Sequence, residues 1–268
     1  MSQLDFSLGV IGAGSMGAAI VRGLLEAGAL PAERVFVCNP GEAKRAVFAQ
    51  LGCPVYADAA DLMAADTDVV ILAVKPQVLP AVMAEIADSV AGRLLVSIAA
   101  GVPLAVLEAA LPGARVLRVM PNLPIQVRSG ASALCVGTSA TSTDVARVSA
   151  IFETLGACAQ MSEVQLNVEG AVVGCSPAFF ALVIDAFTRA GVRAGLPATS
   201  CREMLISTME GVARQLREGE EHPRAYMEKV TSPGGTTAEG LRALEPALVE
   251  GAYTAVDAAL ARTRELAG

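Results

Sequence analysis

The chain has 268 residues, 53% of them hydrophobic and 18% charged, with a formal net charge of −7 and no tryptophan. That balance excludes a disordered chain and describes a globular protein with an aliphatic, alanine-rich interior, long enough for two domains. It carries no basic run or basic patch interleaved with aromatics, so nucleic acid is not an expected partner.

Residues 7–13 (SLGVIGA) predict a short buried strand, and Ser15 to Ala27 a helix. Further strands are expected at 35–39, 55–57, 68–74, 93–100 and 114–122. Helices are expected between them, over GEAKRAVFAQLG, Ala59 to Met63, QVLPAVMAEIADSV and PLAVLEAALP. Apolar β-rich runs separated by helices predict a doubly wound, mainly parallel sheet covered on both faces. After about residue 160 only helical patterns follow, so the expected domains are 1–160 (α/β) and 161–268 (all-α). In the second of these, Ala178, Phe179, Phe180, Leu182, Val183 and Ile184 leave few polar positions. A helix apolar on more than one face has to be buried, and a domain of about 100 residues has limited interior. A second copy of the chain is therefore expected to complete it. The longest apolar runs, such as DVVILAV, read as strand-sized and too short for a membrane span.

Cys38, Cys53, Cys135, Cys158, Cys175 and Cys201 form no CxxC pair, and His222 is the single histidine, so no metal-ligand spacing is present. Scattered cysteines fit a reducing compartment. The segment MSQLDFSLGVIGAG lacks a basic region followed by a long apolar run. A cytoplasmic protein is expected.

The segment LGVIGAGSMGAAI places Gly12, Gly14 and Gly17 in GxGxxG spacing at the first strand-to-helix junction. There Gly12 permits the tight turn, Gly14 lets the backbone approach a pyrophosphate, and Gly17 permits close helix–strand packing. A helix N-terminus facing the phosphates adds free N–H groups and a positive dipole end. At the end of the second strand, where an NAD site presents a carboxylate, this chain has Asn39, then Pro40, Gly41 and Glu42, with Lys44 and Arg45 one turn into the helix. An amide beside cations favours NADPH, and Glu42 leaves NADH open.

Four segments, VIGAGSMG, ILAVKPQ, RVMPNLP and VTSPGGTT, occur in an order and spacing that resemble the pyrroline-5-carboxylate reductase family. EGEEHP and AGVRAGLP are similar to further segments of that family, and the resemblance covers nearly the whole chain. It implies a Rossmann domain followed by a helical dimerisation domain, homodimers that often assemble into decamers, and reduction of 1-pyrroline-5-carboxylate to L-proline. It also implies that Thr237 places its hydroxyl on the ring nitrogen of a cyclic imino acid, while Ser232, Gly234, Gly235 and Thr236 hold its carboxylate. Glu220 and Ser176 complete the substrate side. The cofactor side comprises Gly12, Ala13, Gly14, Ser15 and Met16, then Asn39, Pro40 and Lys44, then Ala73, Val74, Lys75 and Pro76, with Asn122 ordering the loop near the nicotinamide. Bland roles stand beside these: Thr236 and Thr237 can cap the helix that follows, Lys75 can be solvated, and REGEEHPR can be an open charged loop.

The chain departs from the family at Val173-Gly174-Cys175-Ser176-Pro177-Ala178-Phe179, where Ser-Gly-Ser-Gly-Pro-Ala-Tyr is usual, and at Leu123, where threonine is usual. These changes keep two alternatives in play: a reductase of a related cyclic imine, such as a substituted pyrroline or a piperideine carboxylate, and a non-catalytic nucleotide-binding paralogue.

Overall fold

The structure, a computed structural model, describes residues 3–267. They form two compact units, one made of the residues up to Cys175 together with those from Leu260 onward, the other of Ser176–Ala259.

The first unit is built on eight strands: β1 (Leu8–Ile11), β2 (Val35–Cys38), β3 (Val55–Tyr56), β4 (Val69–Leu72), β5 (Leu94–Ser97), β6 (Arg115–Pro121), β7 (Gly130–Val136) and β8 (Gly156–Gln160). Their order is β3-β2-β1-β4-β5-β6-β7-β8. The helices of this unit are α1 (Ser15–Glu26), α2 (Glu42–Gln50), α3 (Ala59–Ala64), α4 (Leu79–Ile86), α5 (Leu104–Ala110), α6 (Ser142–Glu153) and α7 (Glu163–Glu169).

Alternation within the apolar strands explains the two-sided cover. Val69, Ile71, Leu94 and Val96 enter one core with Ile20, Leu24, Val148 and Phe152. Val70, Leu72 and Leu95 enter the other with Leu62, Leu79, Ile86, Leu107 and Leu166. Each fully buried aliphatic side chain contributes about 1.5–3 kcal/mol, which outweighs the weak local preferences of such short strands.

The strands from β1 to β6 run parallel, and β6 pairs antiparallel with β7. The reason is the connection: only a short 3-10 segment, Leu123–Val127, separates β6 from β7, whereas a parallel return needs roughly a dozen residues or more. The return from β7 to β8 has such a crossover in α6 and is parallel. Strand β1 lies between β2 and β4, so the strand order reverses there and opens a crevice at the carboxyl ends, the position where open α/β sheets bind ligands.

The second unit contains α8 (Ser176–Arg193), α9 (Ala198–Glu218), α10 (Pro223–Lys229) and the first part of α11 (Thr236–Ala267). Helices α8 and α9 approach closely at Gly191, where a Cβ would come within 2.5 Å of Cys201 Sγ. No residue of α8 is buried within the chain. The helical stretch Glu163–Arg193 is long and apolar enough to cross a membrane by length and composition. This corrects the expectation that every apolar run is strand-sized: Glu169 and Asp185 are far enough apart to leave a long apolar window between them.

Candidate active site

The turn after β1 assigns a separate steric reason to each glycine. Gly12 has φ +109°, and a Cβ there would meet Ala73 O at 2.6 Å. At Gly17 a Cβ would lie 2.0 Å from Gly12 O. At Gly14, the N-cap of α1, a Cβ would meet no atom within 4 Å, and no side chain caps the helix. Internal packing therefore explains the first and third glycines but leaves the second facing open space, beside uncapped N–H groups and a positive helix end that suit a phosphate. Gly14→Ala is expected to change stability by no more than about 1 kcal/mol, while weakening NADPH binding at least about tenfold, ~1.4 kcal/mol. Thermal denaturation and NADPH titration measure the two, and wild-type affinity in that variant would remove the pyrophosphate from this turn.

At the end of β2 the Asn39 side chain folds onto its own turn, its Oδ1 accepting from Gly41 N–H at 3.0 Å. Arg45 Nη1 donates to the carbonyls of Asn39 and Pro40 at 2.6 and 2.8 Å. A guanidinium is thus fastened where the ribose end of a dinucleotide would lie. Lys44 is exposed on the helix face beside it.

Farther along the sheet, a cavity of about 320 Å³ opens at the carboxyl ends of β4, β5 and β6, lined among others by Pro76, Gly101, Met120, Asn167, Gly174 and Cys175. A dinucleotide whose pyrophosphate rests at β1 extends from the β2 side to this side of the switch point. Ala73 and Val74 flank the glycine turn, since Ala73 N–H donates to Ile11 O and Val74 Cγ1 would lie 3.0 Å from a Cβ at Gly12. Ala13 is buried, Met16 half-buried, and Ser15 and Lys75 are exposed.

Asn122 is buried and pinned: its Oδ1 accepts from Ala131 N–H at 2.8 Å and its Nδ2 donates to Val173 O at 3.3 Å. Its amide therefore ties the end of β6 to β7 and to the π-helical turn Gly170–Gly174. That is a role in ordering the cavity wall.

Sequence reasoning passed over Glu169, the last residue of α7. It is buried, its Oε2 has no protein partner among the described residues, and burial pushes its pKa up to about 7. The only signal in the sequence is one carboxylate inside VEGAVVG. Because the folded-state pKa lies above the ordinary 4.5, the folded protein holds a proton that the unfolded chain releases between pH 4.5 and 7. The stability associated with that proton is fully present below about pH 4.5 and lost as pH rises through about 7. Glu169→Gln is expected to stabilise the protein by roughly 3 kcal/mol at pH 8 and by almost nothing near pH 4. Melting curves at the two pH values check the sign.

The other cysteines of the sheet unit are packed thiols: burial pushes Cys38 up to about 12 and Cys158 up to about 11, and raises Cys53 and Cys135. None is poised as a nucleophile.

In the second unit, Ser232-Pro233-Gly234-Gly235 forms a β-turn. Gly235 N–H donates to Ser232 O at 2.9 Å, Pro233 takes the first central position, and Gly234 at φ +68° takes the second. A Cβ on Gly235 would collide with Ser232 Oγ at 2.3 Å. Gly235 O accepts from Glu239 N–H, so α11 starts at Thr236 with its first amides unspent. Ser232, Thr236 and Thr237 are exposed, and their hydroxyls make no hydrogen bond among the described residues. The threonines do not cap their helix here. Ser176 is the first residue of α8.

Glu220 is exposed and held at φ +50°, directly after the C-cap Gly219 of α9. A left-handed backbone is unusual for a residue with a side chain. His222 serves as the N-cap of α10, its Nδ1 accepting from Arg224 N–H at 3.1 Å, and Glu221 pairs with Lys229 at 2.8 Å.

Residues 163–266 match the family model for pyrroline-5-carboxylate reductase dimerisation. Residues 7–101 match the model for NADP oxidoreductase, coenzyme F420-dependent. Pyrroline-5-carboxylate reductase 3 of Macaca fascicularis is 36% identical over 97% of this chain and 95% of its own. The pyrroline-5-carboxylate reductase of Synechocystis is 36% identical over 98% of this chain and 99% of its own. Among solved structures, a pyrroline-5-carboxylate reductase from Coxiella burnetii superposes with a TM-score of 0.93 at 31% identity, covering 99% of this chain and 100% of that one. The Plasmodium falciparum pyrroline carboxylate reductase with NADP bound superposes with a TM-score of 0.87 at 26% identity, covering all of both chains. With an oxidoreductase nucleotide domain, a dimerisation region and near-complete coverage by relatives above 30% identity, the chain belongs to the pyrroline-5-carboxylate reductase family.

Proposed function

We propose that the protein reduces 1-pyrroline-5-carboxylate to L-proline with NAD(P)H, and that NADPH is the preferred donor. The residues fit a dinucleotide: open space at Gly14, an uncapped α1, and Arg45 fastened at the ribose end support this. When bound, the reduced nicotinamide supplies the hydride and leaves as its oxidised form. The chain's own task is to hold the reacting carbon within about 3–3.5 Å of it and to secure the imine nitrogen.

The observation that carries the substrate side is the Ser232–Thr237 turn. Unspent amides at the start of a long helix suit the substrate carboxylate. The free hydroxyls of Ser232 and Thr236 suit the same carboxylate, and that of Thr237 suits the other end, where it meets the ring nitrogen as imine becomes amine, a change that a hydroxyl accommodates as donor or acceptor. Glu220, held in its left-handed turn, and Ser176 are assigned to the same substrate. A protonated imine is already electrophilic, so the site needs to orient more than to activate.

The helical residues 161–268 are assigned to a homodimer that brings this turn to a cofactor crevice, with further assembly to decamers and a cytoplasmic location. One observation keeps a second substrate in view. Cys175, with Met120 and Pro121, gives the cavity an apolar lining where the family usually carries serine, which would favour a substituted pyrroline or a six-membered ring. NADPH oxidation with a panel of cyclic imino acids tests both. Turnover of pyrroline-5-carboxylate well above its analogues is expected. Preference for an analogue transfers the assignment to that ring, and NADPH binding without turnover of any would reduce the protein to a nucleotide-binding paralogue.

A further inference from the structure

Beside the cavity at the ends of β4–β6 lies a partly buried ion pair, its glutamate side chain 34% exposed, that the proposed chemistry does not use. Arg118, in the middle of β6, is 2% exposed and its Nη1 donates to Glu163 Oε1. The same carboxylate oxygen accepts from Leu104 N–H at 2.7 Å. Glu163 opens α7 and Leu104 opens α5, so one oxygen joins three elements: a strand and the starts of two helices.

Each of those three elements supplies a wall of the cavity a few residues away. Met120 and Pro121 follow Arg118 on β6, Gly101 precedes Leu104, and Asn167 and Gly170 follow Glu163. The pair itself lines a neighbouring cavity of about 350 Å³ that shares Gly101, Asn167 and Thr263 with the first. Such a pair adds little net stability compared with a well-packed apolar replacement, and geometry is what it fixes.

We infer that Arg118 and Glu163 are positioning residues for imine reduction: their shared contact with Leu104 N–H sets the separation of the walls between which the nicotinamide and the imine meet. This rests on the reductase assignment above and goes beyond it in naming residues that touch neither cofactor nor substrate. Neither charge is spent on the reaction. A misplacement of about 1 Å at the reacting atoms is enough to slow a hydride transfer about a hundredfold.

The test is the double variant Arg118→Met/Glu163→Leu, which leaves no orphaned buried charge and is expected to fold. NADPH affinity should stay within about threefold of wild type, because the phosphate turn lies at β1, while kcat/KM for the imine falls roughly ten- to a hundredfold. The emission of bound NADPH, readable in a chain without tryptophan, should shift as the nicotinamide surroundings loosen. Arg118→Lys, which keeps a cation on Glu163, should recover most of the loss. A folded double variant with wild-type kcat/KM and wild-type emission would overturn the inference. Should the double variant not fold, Glu163→Gln carries the comparison, with an expected loss of about three- to tenfold in kcat/KM and a lowered melting temperature because Arg118 loses its counter-charge, and wild-type kcat/KM and emission in it overturn the inference equally. If the wild-type protein turns over no imine, the reductase assignment fails, and the NADPH emission of the variants still decides whether the pair shapes the cavity.

Discussion

Thr237→Ala is expected to lower kcat for imine reduction by about 10²–10³-fold, the range seen when one hydrogen-bonding group aimed at a reacting atom is removed. Three features make the result interpretable. Thr237 is exposed and its hydroxyl has no partner among the described residues, so the truncation opens no core cavity and melting should be unchanged. It is the second residue of a 32-residue helix, where alanine is at least as good a helix former. The nucleotide turn at Gly12–Gly17 belongs to the other compact unit, so NADPH affinity should hold. Thr237→Ser, which restores the hydroxyl, should recover most of the rate. Thr236→Ala, acting on the carboxylate end, should raise KM more than it lowers kcat. Steady-state kinetics with NADPH titration reads all three. Retention of more than about half the activity by Thr237→Ala would remove this hydroxyl from the reaction, since a positioned proton-handling group contributes at least about a hundredfold.

The parts of the fold that were legible in the sequence are those whose cause is local. Alternating, fully buried runs such as Val69–Leu72 and Leu94–Ser97 have one reading, strands with cover on both sides. Gly12 and Gly17 sit where any Cβ would strike backbone, so their spacing carries the turn with it. Strand β7 and the edge strand β8 were passed over because ASALCV and GACAQ are alanine-rich, and the direction of β7 follows from the length of its connection to β6. The ribose-end cation is a similar case. Lys44 and Arg45 are equivalent in sequence, and Arg45 becomes the fastened one because the carbonyls of Asn39 and Pro40 point toward it. Glu169 and the Arg118–Glu163 pair were illegible for a further reason. Burial of a lone charge depends on which face of α7 meets the sheet, and the ion pair joins positions 45 residues apart.

The helical unit offers the second large effect. Along α8, Phe180 and Leu182 are 56% and 65% exposed, and no residue of the helix is buried. An isolated chain gains nothing from that surface, whereas removing one such side chain from water yields about 1.5–3 kcal/mol. The dimerisation match over 163–266 supports an oligomer; in the homodimer proposed above a second copy covers this surface, and in a two-fold interface every contact counts twice. The two residues point to sides of the helix roughly 200° apart, so Phe180→Glu and Leu182→Glu, made separately, ask which side is covered. A carboxylate placed on the covered side is buried without a partner in both copies, at a cost of several kcal/mol per dimer, enough to weaken association at least about a thousandfold. Light scattering on the size-excluded protein should then show a monomer for that variant and a dimer or larger for the wild type. With the monomer, imine reduction should disappear while NADPH binding remains, because the Ser232–Thr237 turn is assigned to a crevice completed by the partner. The stretch 163–193 also meets the length and composition of a membrane span, and the two covers separate cleanly. If lipid were the cover, both substitutions would abolish vesicle flotation and leave the oligomeric mass unchanged, and the proposed homodimer would have to be abandoned.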